Sequence, residues 1–180
     1  MKTRLIVAGH DEKGRSRIIS DRKMEQPFES LPGFSSTQLW ATDGVPQVGT
    51  GFPDLSDTPP VSIVPAIGGT RLLVVTLPPD TSMQSPNFDG AAWATELAEK
   101  APGLAEAFDP EDPGMHRTDT LDYGVVLDGE VWLELDDRQP VRLEQRDVVV
   151  QNGTRHAWRN RSSRSSTLLF VLVGAQRASS

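Results

Sequence analysis

YGVVLDGEVWLELDDRQPVRLEQRDVVVQNGTRHAWRNRSSRSSTLLFVLV, residues 123–173, is the stretch that decides the fold. Its apolar residues come in short runs: Tyr123–Leu127, Val131–Leu135, Val141–Leu143, Val148–Gln151, Arg155–Asn160 and Thr167–Val173. Turn formers separate them: Asp128–Gly129, Asp136–Asp137–Arg138–Gln139, Gln145–Arg146–Asp147 and Asn152–Gly153. Runs this short, rich in branched side chains and broken by Asp-Gly and Asn-Gly, read as strands, because helices need longer stretches with a 3.6-residue period. Short strands joined by tight turns describe an antiparallel sandwich or barrel. Asp128–Gly129 gives the strongest hairpin signal in the chain, since glycine reaches the positive φ of a two-residue turn without a Cβ clash.

Upstream, Arg4–Val7 and Arg17–Ser20 flank the turn-prone Asp11–Glu12–Lys13–Gly14 and predict a hairpin. Thr37–Thr42 and Arg71–Leu77 are further strands, the second ended by Pro78–Pro79. Asp43 to Gly69 holds five prolines and five glycines, which predicts a loop or extended arm. One helix stands out. Asp89 caps it, and Trp93, Leu97 and Ala101 fall at helical spacing until Pro102–Gly103 interrupts, with a short second turn over Leu104–Phe108. Trp93 is read as packing against the barrel, with a closing lid as the alternative. The expected organisation is a β arm and loop over residues 1–70, a barrel over 71–175 with a helical insertion at 89–108, and a tail over 176–180.

Among 180 residues there are 25 acidic and 18 basic side chains, three histidines and no cysteine, for a net charge of −7. That balance argues against nucleic acid, whose phosphates need a basic surface. Lacking cysteine, the chain has no disulfide, no thiolate-bound zinc or iron–sulfur centre and no thiol nucleophile. The longest apolar runs, such as Leu168–Val173, are far too short for a membrane span, and Met1–Lys2–Thr3 opens no signal-like segment. A cytoplasmic protein handling a small molecule is the expectation. Walker, dinucleotide-binding, His-Glu-x-x-His and Gly-x-Ser-x-Gly motifs are all absent from the sequence.

Chemistry concentrates on two histidines, His116 and His156. Strand alternation fixes which neighbours share their faces: Thr118 with His116, and Trp158 and Asn160 with His156. Asp122 opens the next strand and is placed to face the same interior. Two neutral imidazoles and a carboxylate are a sensible donor set for a divalent metal.

These residues carry a resemblance to the cupins. His116–Arg117–Thr118 stands at the His-x-His of their first motif, Asp122 at its glutamate, and six residues separate Asp122 from the closing Gly129. In the second motif Gly153–Thr154–Arg155–His156 keeps the Gly-x-x-His spacing, and Asn160 follows after three residues. Three departures stand beside these matches. Thr118 replaces the second histidine, Asp122 is one methylene shorter than glutamate, and Arg146–Asp147 replaces Gly-Asp. The resemblance spans Met115 to Val173. It implies an all-β, cupin-type jelly-roll barrel with an N-terminal β arm and a helical insertion, and a homodimer. It further implies a metal-dependent enzyme acting on a small oxygenated molecule, a lyase, isomerase, decarboxylase or dioxygenase. His116, Asp122 and His156 would hold Fe, Zn, Mn or Ni, while Thr118 and Trp158 orient the substrate. Three alternatives remain open: a non-catalytic small-molecule binder, a metal-free isomerase or cyclase using a histidine base, and a purely structural role for the buried histidines.

Of the neighbours, Thr118 either donates a hydrogen bond to substrate or fills space, and Trp158 either lines the cavity or belongs to the core. Tyr123 should point opposite to Asp122, Asn160 should stabilise the turn after its strand, and Asp147 should close its own. His10 reads as a solvated turn residue. Asp109–Pro110–Glu111–Asp112–Pro113 reads as a solvated acidic loop, with calcium as a remote second option. Arg155, Arg159 and Arg161 share the face opposite His156, exposed or at a dimer surface, with an anionic substrate as the sharper reading.

Overall fold

A computed structural model describes residues 2–49, 61–137 and 139–178. Met1, Thr50–Pro60, Arg138 and Ser179–Ser180 lie outside the described residues, and with them the middle of the Pro/Gly-rich loop and the end of the tail. The described part of that loop, residues 43–49 and 61–69, holds neither strand nor helix.

Among the described residues there are ten strands: β1 Thr3–His10, β2 Ser16–Met24, β3 Ser35–Thr42, β4 Thr70–Leu77, β5 Thr120–Asp128, β6 Glu130–Glu134, β7 Val141–Glu144, β8 Val148–Asn152, β9 Ala157–Arg159 and β10 Ser166–Gly174. They form an antiparallel five-stranded sheet in the order β3-β4-β10-β5-β8, a three-stranded sheet β7-β6-β9, and the separate hairpin β1-β2. The barrel begins earlier than residue 71, because β3 is part of its larger sheet. Phe28, Leu31 and Phe34 are already buried in its core.

Asp128–Gly129 is not a hairpin turn. β5 pairs with β10 and β8, while β6 pairs with β7 and β9, so the chain turns a corner there from one sheet to the other. Gly129 sits at φ +80°, and a Cβ on it would collide with Ser166 Oγ. That hydroxyl accepts from Glu130 N and donates to Glu130 O, which seals the corner. The turns at 145–147 and 152–153 likewise feed strands that pair elsewhere. Of the four turns in the opening stretch, the one at 136–139 joins paired strands, β6 and β7. A turn sequence fixes where the chain reverses, and not which strand it then meets.

Two apolar clusters fill the space between the sheets. One joins Val126, Val131, Leu133, Leu143 and Leu168. The other joins Phe28, Leu31, Phe34, Ile63, Leu73 and Leu172 to Leu97 and Ala101. Leu97 arrives on α1, Gly90–Lys100, and Ala101 is its C-cap; the first turn is capped by Asp89 accepting from Ala91 N and Ala92 N. Burying Leu97 alone stabilises the docked helix by about 1.5–3 kcal/mol. Trp93 packs at ring-centroid distances of 5.3 Å from Phe28 and 4.7 Å from Phe34, so its role is packing. Glu96 adds a polar anchor: its carboxylate accepts from Glu29 N, Ser30 N, the Ser30 hydroxyl and Lys100 Nζ. Two 3₁₀ turns, Asp80–Gln84 and Ala105–Ala107, flank the helix.

Alternation puts Asp122, Gly124 and Val126 inside the barrel and Tyr123, Val125 and Leu127 outside. The outer rows of the larger sheet then read Val150–Tyr123–Val171–Leu72–Trp40 and Val148–Val125–Leu169–Val74. No charged side chain interrupts these rows, and Val148, Val150 and Tyr123 are exposed.

Candidate functional site

His116 and His156 come together through backbone pairing. His116 N donates to His156 O at 2.8 Å and His156 N to His116 O at 2.9 Å, so the two residues stand directly opposite each other with side chains on one face. Their ring centroids are 4.3 Å apart, tilted by 52°. Each ring is tied down at one nitrogen: His116 Nδ1 lies 3.2 Å from Gly114 O, and His156 Nδ1 lies 2.9 Å from Thr154 O. A carbonyl can only accept, so both rings carry their proton on Nδ1 and keep a lone pair on Nε2. Burial lowers the proton affinity of both. His156 is pushed down to about 4 by burial and then by the neighbouring His116, and His116 moves in the same direction through burial. At neutral pH the site holds two uncharged imidazoles.

Aromatic groups wall the pair. Phe108, at the end of the helical insertion, meets His116 edge-on at 5.2 Å, and Trp158 meets His156 at 5.8 Å before packing on Phe170. The insertion thus delivers a cover to the site, pinned by Asp109 N to Met115 O and Arg117 N to Ala107 O. The acidic loop and the arginines are not independent surface features. Arg155 bonds Asp109, Asp112 and Asp136 at 2.6–3.2 Å. Arg159 bonds Glu134 and Pro113 O. These contacts tie the end of the insertion to the smaller sheet, and the acids of the loop are spent on an arginine instead of calcium. Arg161 is exposed.

The other inward groups form a polar row. Thr118 Oγ1 is 2.7 Å from Thr120 Oγ1, and Thr120 in turn bonds the Asp122 carboxyl. Asp122 is 7 % exposed, and its Oδ1 has no hydrogen-bond partner among the described residues. Burial, only partly offset by the Thr120 bond, pushes its pKa up to about 6. Across the strand pair stands Gln151, 5 % exposed, with Nε2 also unpartnered. Asn160 bonds Leu77 O, Arg164 O and Ser162 and holds its turn, as expected. Tyr123 is exposed and outward, Asp147 accepts from Glu144 N within its turn, and His10 is an exposed residue at the end of β1.

Two imidazoles with Nδ1 bound to carbonyls suit a divalent ion in kind. In number they fall short. Among the described residues no three His, Asp or Glu side chains gather closely enough to hold a metal ion, so Asp122 does not complete a set with His116 and His156. A carboxylate one methylene shorter than glutamate gives up about 1.5 Å of reach, and metal–ligand distances tolerate about 0.2 Å. As arranged, the residues do not fit a centre with three protein ligands. Gln151 and Phe108 were not legible as site residues. Gln151 emerges only from the β5–β8 register, and Phe108 only from the docking of the insertion.

No known family profile matches the chain. A stretch of 63 residues is 51 % identical to phomopsin biosynthesis cluster protein D of Diaporthe leptostromiformis, covering 34 % of this chain and 33 % of that one. Another comparison gives 39 % identity over 66 residues with oryzines biosynthesis cluster protein J of Aspergillus oryzae, 36 % and 37 % of the two chains. A third gives 46 % identity over 46 residues with a cupin-domain-containing oxidoreductase of Hypocrea virens, 26 % and 24 % of the two chains. The chain spans about a third of the length of the first curated relatives it matches. Among solved structures, the cupin domain of Schizosaccharomyces pombe Cnp3 aligns over 97 % of this chain and 89 % of its own, at 9 % identity and a TM-score of 0.46. No helix among the described residues is long and apolar enough to cross a membrane. Antiparallel sheets, the two motif histidines meeting between them and local identity to cupin-domain proteins together give the chain the cupin fold.

Proposed function

We propose that the chain is a small-molecule enzyme of secondary metabolism that moves a proton at a carbon next to a carbonyl. The observation that carries the reading is the pair of adjacent imidazoles, each with Nδ1 bound to a backbone carbonyl and Nε2 left as a lone pair. A neutral Nε2 in a buried setting is a general base, and one such group contributes about 10²–10⁴-fold to rate. One histidine takes the proton from the α-carbon, the C–H electron pair becomes the new C=C bond, and the carbonyl π pair moves onto oxygen, leaving an enolate. Return of a proton from the imidazolium to that carbon exchanges or epimerises it, with no oxidant required. Phe108 and Trp158 exclude water, and the Thr118 hydroxyl orients the oxygenated end. The matches to two biosynthesis-cluster proteins support the metabolic setting.

The test is proton–deuterium exchange at the α-carbon of a panel of ketones in D₂O, followed by NMR on chelator-treated protein. His156→Gln should slow the exchange by about a hundredfold. Equal rates for both proteins would remove the histidine base, and exchange of no ketone would favour a binding module.

A second reading is metal dependence, with Fe, Zn, Mn or Ni. The locked tautomers favour it, since both Nε2 atoms are poised as donors. Elemental analysis after reloading with each metal separates the two readings.

A further inference from the structure

Two buried polar atoms stand unpartnered side by side in the barrel, and they are complementary. Asp122 Oδ1 accepts a hydrogen bond, whereas Gln151 Nε2 donates one. Their residues face each other across β5 and β8, so their Cβ atoms lie about 4.5–5.5 Å apart on the inward face. Thr154 Oγ1 donates to Gln151 Oε1 at 2.7 Å, which leaves the amide NH₂ as the unpartnered end of that side chain. A buried donor and a buried acceptor left unmade are costly to a fold, and a purely structural site would close them on each other.

We propose that Asp122 and Gln151 form a two-point clamp for an α-hydroxy ketone, Asp122 accepting from its hydroxyl and Gln151 donating to its carbonyl. The ligand class follows from the pair: one donor and one acceptor on neighbouring carbons, reaching two protein groups one strand apart. A carboxylate ligand would bring a second negative charge against Asp122, and a simple ketone would leave Oδ1 unsatisfied. Thr118 and Thr120 continue the polar row from Asp122 toward His116. The clamp thereby names the substrate class of the proton-transfer reading on which it rests.

Binding of 2-hydroxyacetophenone, 2-methoxyacetophenone and acetophenone to chelator-treated protein, followed by ligand-observed NMR, tests the clamp without turnover. The hydroxy ketone should bind at least about tenfold tighter than the two ketones that lack a donor, the equivalent of one hydrogen bond. Asp122→Leu should erase that preference, because the hydroxyl loses its acceptor, whereas Gln151→Met should weaken all three ketones alike and keep it, because they share the carbonyl; a folded β signal by circular dichroism is the control for both variants. His156→Ala should keep the preference while losing exchange at the α-carbon. Equal binding of the three ketones overturns the clamp, as does an Asp122→Leu protein that retains the preference or a Gln151→Met protein that binds all three as tightly as the wild type. Failure to bind the hydroxy ketone at millimolar concentration means that the two atoms meet only buried water, and overturns it too. Exchange by a wild-type protein with no preference would leave the histidine base standing and the clamp refuted.

Discussion

Replacing Asp122 with asparagine should make the protein more stable above pH 6. In the folded chain its pKa is raised from 3.8 to about 6, first by burial, with the Thr120 bond opposing. At 1.36 kcal/mol for each tenfold in proton affinity, that rise amounts to about 3 kcal/mol against the ionised form. The sign follows from linkage: between the two pKa values the folded state binds more protons than the unfolded one, so stability falls as pH rises from 3.8 to about 6. Above that window the whole penalty is in force. Asp122→Asn keeps the size and an acceptor for Thr120 but cannot ionise. Urea denaturation of both chelator-treated proteins from pH 4 to pH 8 reads the difference. The variant should be more stable by up to about 3 kcal/mol at pH 8, and nearly equal to wild type at pH 4. A variant less stable than wild type at pH 8 would refute the reasoning, since it would mean that the ionised carboxylate is held by a partner such as a cation. A difference that does not change with pH would refute it equally.

Glu96 should behave in the opposite sense. Burial alone would raise its pKa, but hydrogen bonds from Lys100, from the Ser30 hydroxyl and from Ser30 N and Glu29 N outweigh that and bring it to about 2. Its stabilisation, on the order of 3 kcal/mol, is present above pH 4.5 and is lost as pH falls toward 2. Glu96→Gln should therefore be less stable at pH 7 by about 2–3 kcal/mol, with the gap narrowing in acid urea titrations; a constant gap would contradict the assignment. Arg155→Met should free the end of the insertion, and the Arg117 amide, which donates to Ala107 O, should exchange at least about tenfold faster by hydrogen–deuterium NMR. Unchanged exchange would mean that the three aspartates do not hold the insertion. The uncharged outer face of the larger sheet should pack against a second copy. Five strands about 4.8 Å apart, four of them some 27 Å long and β8 about 17 Å, offer on the order of 600 Å², approaching the roughly 800 Å² per partner of a standard interface. Sedimentation velocity should show a wild-type dimer and a Val150→Glu monomer, and a monomeric wild type would sink this expectation.

Strand existence was legible because period-2 patterns and glycine turns are local. β1 to β4, α1 with its Asp89 cap and all six C-terminal runs lie where their residues put them. Strand partners were not legible. Asp128–Gly129 carries the chemistry of a hairpin, yet the register of β5 with β10 and β8 is decided by which apolar faces meet, a property of the assembled chain. The same division holds at the site. Alternation turned Thr118, Asp122 and Trp158 inward, and spacing brought His116 opposite His156. How far a carboxylate reaches depends on the path of the backbone beneath it, so the separation of Asp122 from the two rings was invisible in the motif. Arg155 looked like free surface charge because its acids lie on an insertion more than forty positions upstream.

Arg155 is also the residue immediately before His156, and this has a mechanical consequence. The guanidinium that grips the insertion and the imidazole that faces the interior share one peptide unit. Any displacement of the loop bearing Asp109 and Asp112 is transmitted as torque about that unit, so entrance and base cannot move independently. Access to the barrel and alignment of the His156 ring are geared together through a single bond in the main chain.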